Sequence, residues 1–70
     1  MAHYNLTQVL VDDKPARYYA NSRRVSRDQY DHIIRMARMD ASGHIDCFAT
    51  KAKQLPGGHF KRWNYCCARW

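Results

Sequence analysis

Five side chains in the C-terminal half have the chemistry to hold a metal ion. His44 and Cys47 form an H-x-x-C pair, and His59, Cys66 and Cys67 follow downstream. Zinc requires four nitrogen or sulfur ligands converging as a tetrahedron. Cys66 and Cys67 are adjacent, so on a strand they point to opposite faces. His59 belongs to a turn remote from all three cysteines. The ligands do not converge, and neither a metal nor any other cofactor is expected. The three cysteines read instead as free thiols packed as small hydrophobes. A thiol nucleophile needs a paired base as well as a basic setting, and the sequence offers no Cys–His–Asp arrangement. Gly57 and Gly58 punctuate a hairpin rather than cradle a phosphate. No enzyme is expected.

A second set of residues suits binding. Arg23 and Arg24 precede a helix that carries Arg27, Arg35 and Arg38, while Lys51, Lys53, Lys61 and Arg62 crowd a hairpin turn. Such a surface can neutralise phosphates on DNA or RNA, although no helix-turn-helix, zinc-finger, RRM or KH signature accompanies it. Met36, Met39 and His32 share the outward side of the helix, where adaptable thioethers suit a protein partner. An apolar patch of Ile45, Cys47, Ala49, Cys66, Ala68 and Trp70 shares one side of the last hairpin. Left exposed, it would mark a homodimer or a partner interface, unless the first hairpin packs on it.

The elements that must position these residues are legible in part. "VSRDQY" offers Ser26 as N-cap and Gln29 at N3, a capping box, with Val25 and Tyr30 placed as a hydrophobic staple. Tyr30, Ile33, Ile34, Ala37 and Ala41 form an amphipathic stripe, and Gly43 is a candidate C′ stop. The helix is predicted over residues 26–41, about 24 Å long. Before it, "YNLTQVLV" and "ARYYA" read as strands joined by a "DDKP" turn. Asn21-Ser22 is a hairpin signal that lets "RRV" pair back briefly. After it, "HIDCFATKAKQ" and "FKRWNYCCARW" flank "PGGH". An even-numbered loop there sets Phe48 opposite Cys67, Thr50 opposite Tyr65, Ala52 opposite Trp63 and Asp46 opposite Arg69. Phe48, Trp63, Tyr65 and Cys67 would then cover the helix stripe, because so short a chain has few other large apolar groups for a core.

These elements give a single domain over residues 1–70, of α+β class. An antiparallel sheet in ββαββ order, with an optional extra strand at 23–25, packs on one helix. At 46% hydrophobic and 13% aromatic the chain folds rather than staying disordered. Twelve Lys and Arg against six acids, all of them Asp, give a formal charge of +6, which attracts polyanions and acidic partners. Three cysteines do not make a disulfide framework. Neither a signal peptide nor a membrane-spanning apolar run is visible, so the expectation is a cytoplasmic protein without a membrane partner.

"YYANSRRVSRDQYDHI", residues 18–33, resembles a pattern in small accessory proteins of tailed phages and prophages. There a strand, an Asn-centred turn and a basic pair lead into "VS" and a helix that begins with an acid and a Tyr. Here those are Tyr19, Asn21, Arg23, Arg24, Val25, Ser26, Asp28 and Tyr30. The resemblance implies an accessory protein of the host-cell cytoplasm that acts stoichiometrically by occupying a macromolecule. A host protein, a nuclease or a CRISPR-type defence complex would be its target. Direct DNA or RNA binding is the alternative, and a structural homodimer the third expectation.

Overall fold

Two polar devices bound the helix. The Ser26 hydroxyl accepts from the Gln29 N–H (3.1 Å), and the Gln29 side chain accepts from the Ser26 N–H (2.9 Å), completing the capping box. At the other end Asp40 takes an extended conformation, and its carboxylate accepts from both the N–H and the hydroxyl of Ser42. The Ser42 hydroxyl, and then its N–H, hold the Asp40 carboxyl below the ordinary carboxylate range. Between these caps lies α1 (Arg27–Met39). It is shorter than the predicted 26–41 because Ser26 is itself the cap and Asp40 leaves the helical backbone. Gly43 is needed for a reason other than a left-handed cap. A Cβ there would fall 1.8 Å from the Ala37 carbonyl oxygen, so the returning chain passes directly against the last turn.

The computed structural model describes residues 2–70. Its strands are β1 (His3–Val11), β2 (Arg17–Ala20), β3 (Arg23–Val25), β4 (His44–Gln54) and β5 (Phe60–Arg69). They form one antiparallel sheet in the order β3-β2-β1-β5-β4, an α+β fold with the short third strand present. Asn21 and Ser22 both have positive φ (50° and 67°), as a two-residue primed turn requires. The Asn21 side chain also accepts from the Asn5 N–H at 3.0 Å, fastening this hairpin to β1.

The β4–β5 register departs from the even-loop prediction twice. The loop has three residues, Pro56–Gly58, with Gly57 and Gly58 at φ of 85° and 81°. Lys51 therefore faces Trp63, Thr50 faces Asn64 and Ala52 faces Arg62. A bulge between Cys47 and Ala49 then slides the pairing again, placing Cys47 opposite Cys66 and Asp46 opposite Cys67. Directly opposed partners share a face. The odd loop therefore carries Lys51 and Lys53 to the same side as Trp63 and Tyr65.

The helix covers the other side. Its core is Leu6, Ala20, Tyr30, Ile33, Ala37, Cys66 and Ala68, with Tyr4, Tyr18, Val25, Ile34, Ile45 and Trp70 packed around them. This corrects the expectation that Phe48, Trp63, Tyr65 and Cys67 meet the helix. Ala37 and Ala68 are 1% and 0% exposed, so the helix docks where side chains are small enough for close approach. Burying Leu6 there contributes about 1.5–3 kcal/mol. Burial, and secondarily the nearby Tyr18 and Asp31, push the Tyr30 hydroxyl above its ordinary pKa. The body measures 45 × 21 × 17 Å. A hairpin of 10- and 11-residue strands reaches about 35 Å, well beyond a 13-residue helix of about 20 Å.

Candidate nucleic-acid interface

Alternation along each strand fixes what the uncovered face carries. One row across the sheet reads Arg24, Tyr19, Thr7, Tyr65 and Ala49. The next reads Arg17, Val9, Trp63 and Lys51, and a third reads Val11, Lys61 and Lys53. Val9 is buried beneath its neighbours, while Tyr19, Trp63 and Tyr65 are half-buried and offer ring surface outward. The bulge turns Phe48 to this side as well. Phe48 is 66% exposed, and its ring lies 6.4 Å from that of Tyr65, centroid to centroid, with 28° between planes. The Lys61 ammonium stands over the Trp63 ring at 5.0 Å, and the Lys51 ammonium over the Tyr65 ring at 5.8 Å.

Charge is divided unevenly between the two sides. Arg17, Arg24, Lys51, Lys53, Lys61 and Arg69 belong to the open face, against one acid, Asp46. Asp46 itself lies 3.2 Å from the His44 ring nitrogen. On α1, by contrast, Arg27, Arg35 and Arg38 are interspersed with Asp28 and Asp31, and Arg27 is within 3.8 Å of Asp31. A polyanion therefore meets a nearly uniform positive field only on the open face.

The basic residues singled out in the sequence are accordingly separated. Arg24, Lys51, Lys53 and Lys61 come together on the open face. Arg27, Arg35 and Arg38 lie on the helix, on the opposite side of the molecule. Arg23, opposite Ala20, and Arg62, opposite Leu10 and Ala52, also face the helix side. Sequence reasoning missed Arg17, Tyr19, Phe48, Trp63, Tyr65 and Arg69 as members, since it places Phe48, Trp63 and Tyr65 on the helix side. The alternation of Arg17 and Tyr19 was visible, but not the face to which it belongs.

The apolar patch is divided: Ile45, Cys66, Ala68 and Trp70 lie on the covered side, Cys47 is exposed there, and Ala49 belongs to the open face. Ile45, Cys66 and Trp70 pack beneath α1, and Trp70 stacks on Tyr4 at 5.5 Å. The homodimer expectation thus loses most of the surface on which it rested. Met36 and Met39 remain outward, 37% and 76% exposed.

The cysteines also depart from expectation. Cys47 and Cys66 are directly opposed, with Cα atoms 4.0 Å apart, and form a disulfide in place of free thiols. The bulge explains this, since without its extra residue Cys47 would pair with Cys67 and point to the face opposite Cys66. Such bridges persist in oxidising surroundings and are uncommon in a reducing cytoplasm. Cys67 is the free cysteine, and its sulfur lies 2.8 Å from His3 Nε2. This thiol–imidazole pair went unseen in the sequence because its members are 64 residues apart and meet only through β1–β5 pairing. Among the described residues no helix is long and apolar enough to cross a membrane.

The chain matches no protein-family model, no curated protein and no solved structure. Its own geometry therefore supplies the functional reading.

Proposed function

We propose that the protein is a non-enzymatic nucleic-acid-binding protein that uses the open face of its sheet. One observation carries this reading: aromatic rings and half of the Lys and Arg residues share the single face that no other element covers. Stacking of bases on rings and neutralisation of phosphates by flanking cations are the two components of such binding. The test compares reversals on the two sides. Lys51→Glu with Lys53→Glu should weaken binding of an oligonucleotide more than about 10-fold and flatten its dependence on salt, since fewer counterions are released. Arg35→Glu with Arg38→Glu should weaken it no more than a few-fold. Equal losses from both pairs would reduce the reading to net charge alone.

A second reading is favoured by the outward Met36 and Met39. In it the protein is a phage-type stoichiometric binder that occupies a host or defence protein through α1. A complex that survives nuclease and is lost on Met39→Glu would support it, whereas loss on nuclease treatment would return the protein to the first reading. A cytoplasmic site of action belongs to both readings, and the Cys47–Cys66 bridge weighs against it. Thiol titration of protein taken directly from cells tests this: three free thiols per chain accord with the cytoplasm, and one with an oxidising compartment.

A further inference from the structure

We infer that the open face selects single strands, holding one base in a slot between Phe48 and Tyr65 and the next on Trp63. The inference rests on the nucleic-acid reading and specifies its ligand. The bulge is the first support. Strand alternation alone would leave β4 with small or charged side chains opposite Tyr65, but the extra residue brings Phe48 beside it. Bulges commonly re-aim a side chain at functional positions. Here the result is a phenyl ring 66% exposed on an edge strand, with Tyr65 as its aromatic neighbour.

The spacing is the second support. A planar base between two rings needs two van der Waals separations, about 7 Å in all. The Phe48 and Tyr65 ring centroids stand 6.4 Å apart with planes 28° from parallel, so rotation of the exposed Phe48 ring about its side-chain bonds is what sets the two rings face to face across a base. Tyr65 and Trp63 are two residues apart on β5, which separates them by about 6.6 Å. Bases along a duplex strand rise about 3.4 Å, so neighbouring bases cannot occupy both positions while stacked on each other. A single strand can splay them at little cost, and a duplex cannot.

The lysines supply the third support. Lys61 and Lys51 cover the faces of Trp63 and Tyr65 in the free protein. A base stacked on an aromatic ring is held more strongly than an exposed ammonium over it. The arriving base therefore takes the ring, and the released ammonium is left beside the phosphate of the same nucleotide. Arg17, Arg24 and Lys53 flank the path on the same face.

The test uses the full chain at near-physiological salt with three probes: a 12-nucleotide single strand of mixed sequence, its duplex, and heparin, a polyanion without bases. The single strand should bind at least about 10-fold more tightly than the duplex. Phe48→Ala should weaken single-strand binding by about 5- to 50-fold, the loss of one stacked base, and change heparin binding less than about 2-fold. Denaturant titration of the variant confirms that it stays folded, as its exposure implies. Bound single strand should also shield the Cys67 thiol, which lies on this face, from an alkylating reagent. Equal affinity for all three probes with a silent Phe48→Ala would overturn the slot while leaving charge-driven nucleic-acid binding in place. Equal weakening of all three by Phe48→Ala would overturn it too. No binding of any probe would remove the nucleic-acid reading itself. A dimer that dissociates on Phe48→Ala would assign the face to a second copy of the chain and end the proposal.

Discussion

The two sides of this sheet use opposite vocabularies. Under the helix the buried centre of the sheet is Leu6, Ala20, Cys66 and Ala68, three of them small, with Tyr4, Tyr18 and Trp70 only partly buried around them. On the bare side it carries Tyr19, Trp63, Tyr65 and Phe48 among six Lys and Arg residues. Size alone would suggest large rings at the centre of the covered side as well as at its margin. Small residues hold the point of closest contact because backbone approach sets the limit there: the Gly43 Cα lies so near Ala37 that no Cβ fits, and Ala68 is fully enclosed. Close packing of small groups yields dispersion contacts from the backbone as well as from side chains. Large rings left outside then need a different explanation, which the proposed binding would provide.

Adjacent residues of β1 separate the two faces most strongly. Leu6 points to the helix and Thr7 to the open face. Leu6→Ala should cost about 2–5 kcal/mol in denaturant unfolding, and Thr7→Ala about 0.5 kcal/mol or less. Similar costs would mean that both faces are equally packed. Next in size is the bridge on the covered side. Closing a loop of 19-residue separation contributes up to about 3 kcal/mol in the chain-entropy account. Reduction of the protein, or Cys47→Ser, should therefore lower stability toward that amount, while alkylation of Cys67 on the bare side should leave the unfolding midpoint nearly unchanged.

Alkali separates the faces by a smaller amount. The folded-state pKa of Tyr30 is raised by burial, above the ordinary value of about 10. Its contribution is therefore complete below about pH 10 and is lost as pH rises through the raised value. Unfolding midpoints measured from about pH 9 upward should fall more steeply for the wild type than for Tyr30→Phe. If the two decline in parallel, Tyr30 is not the buried titrating group. The smallest stability effect belongs to the bare face, where Lys51→Glu and Lys53→Glu should each shift stability by no more than about 0.5 kcal/mol. A larger shift would show that these lysines hold the hairpin together rather than wait for a ligand.

What could be read in advance divides along physical lines. The capped helix, the Asn21-Ser22 turn and the strand segments depend on residues a few positions apart, and local chemistry specified each of them. The face of the sheet that meets the helix depends on whether one loop has an odd or even number of residues and on one bulge. Gly57-Gly58 accommodates either loop length, and nothing near Phe48 announces an extra residue. The resulting one-residue slip moved Lys51 and Lys53 to the side of Trp63 and Tyr65, which is why the aromatic and basic halves of the candidate interface were both visible but not their union. The Cys47–Cys66 bridge and the His3–Cys67 pair depend on the same long-range register.

That register also governs the order in which the protein can assemble. β1 sits in the middle of the sheet, yet one of its two partners is β5, so that His3 pairs with Arg69. During synthesis β1, β2, β3 and α1 emerge together, but one edge of β1 stays unsatisfied until the last strand arrives. The core residues Cys66 and Ala68 arrive with that strand. Sheets closed by such distant pairs fold on the slow side, in milliseconds to seconds, and their open edges invite pairing with other chains in the meantime. A nascent chain of this protein is therefore most vulnerable to misassembly just before β5 is complete, and least so once that strand has closed between β1 and β4.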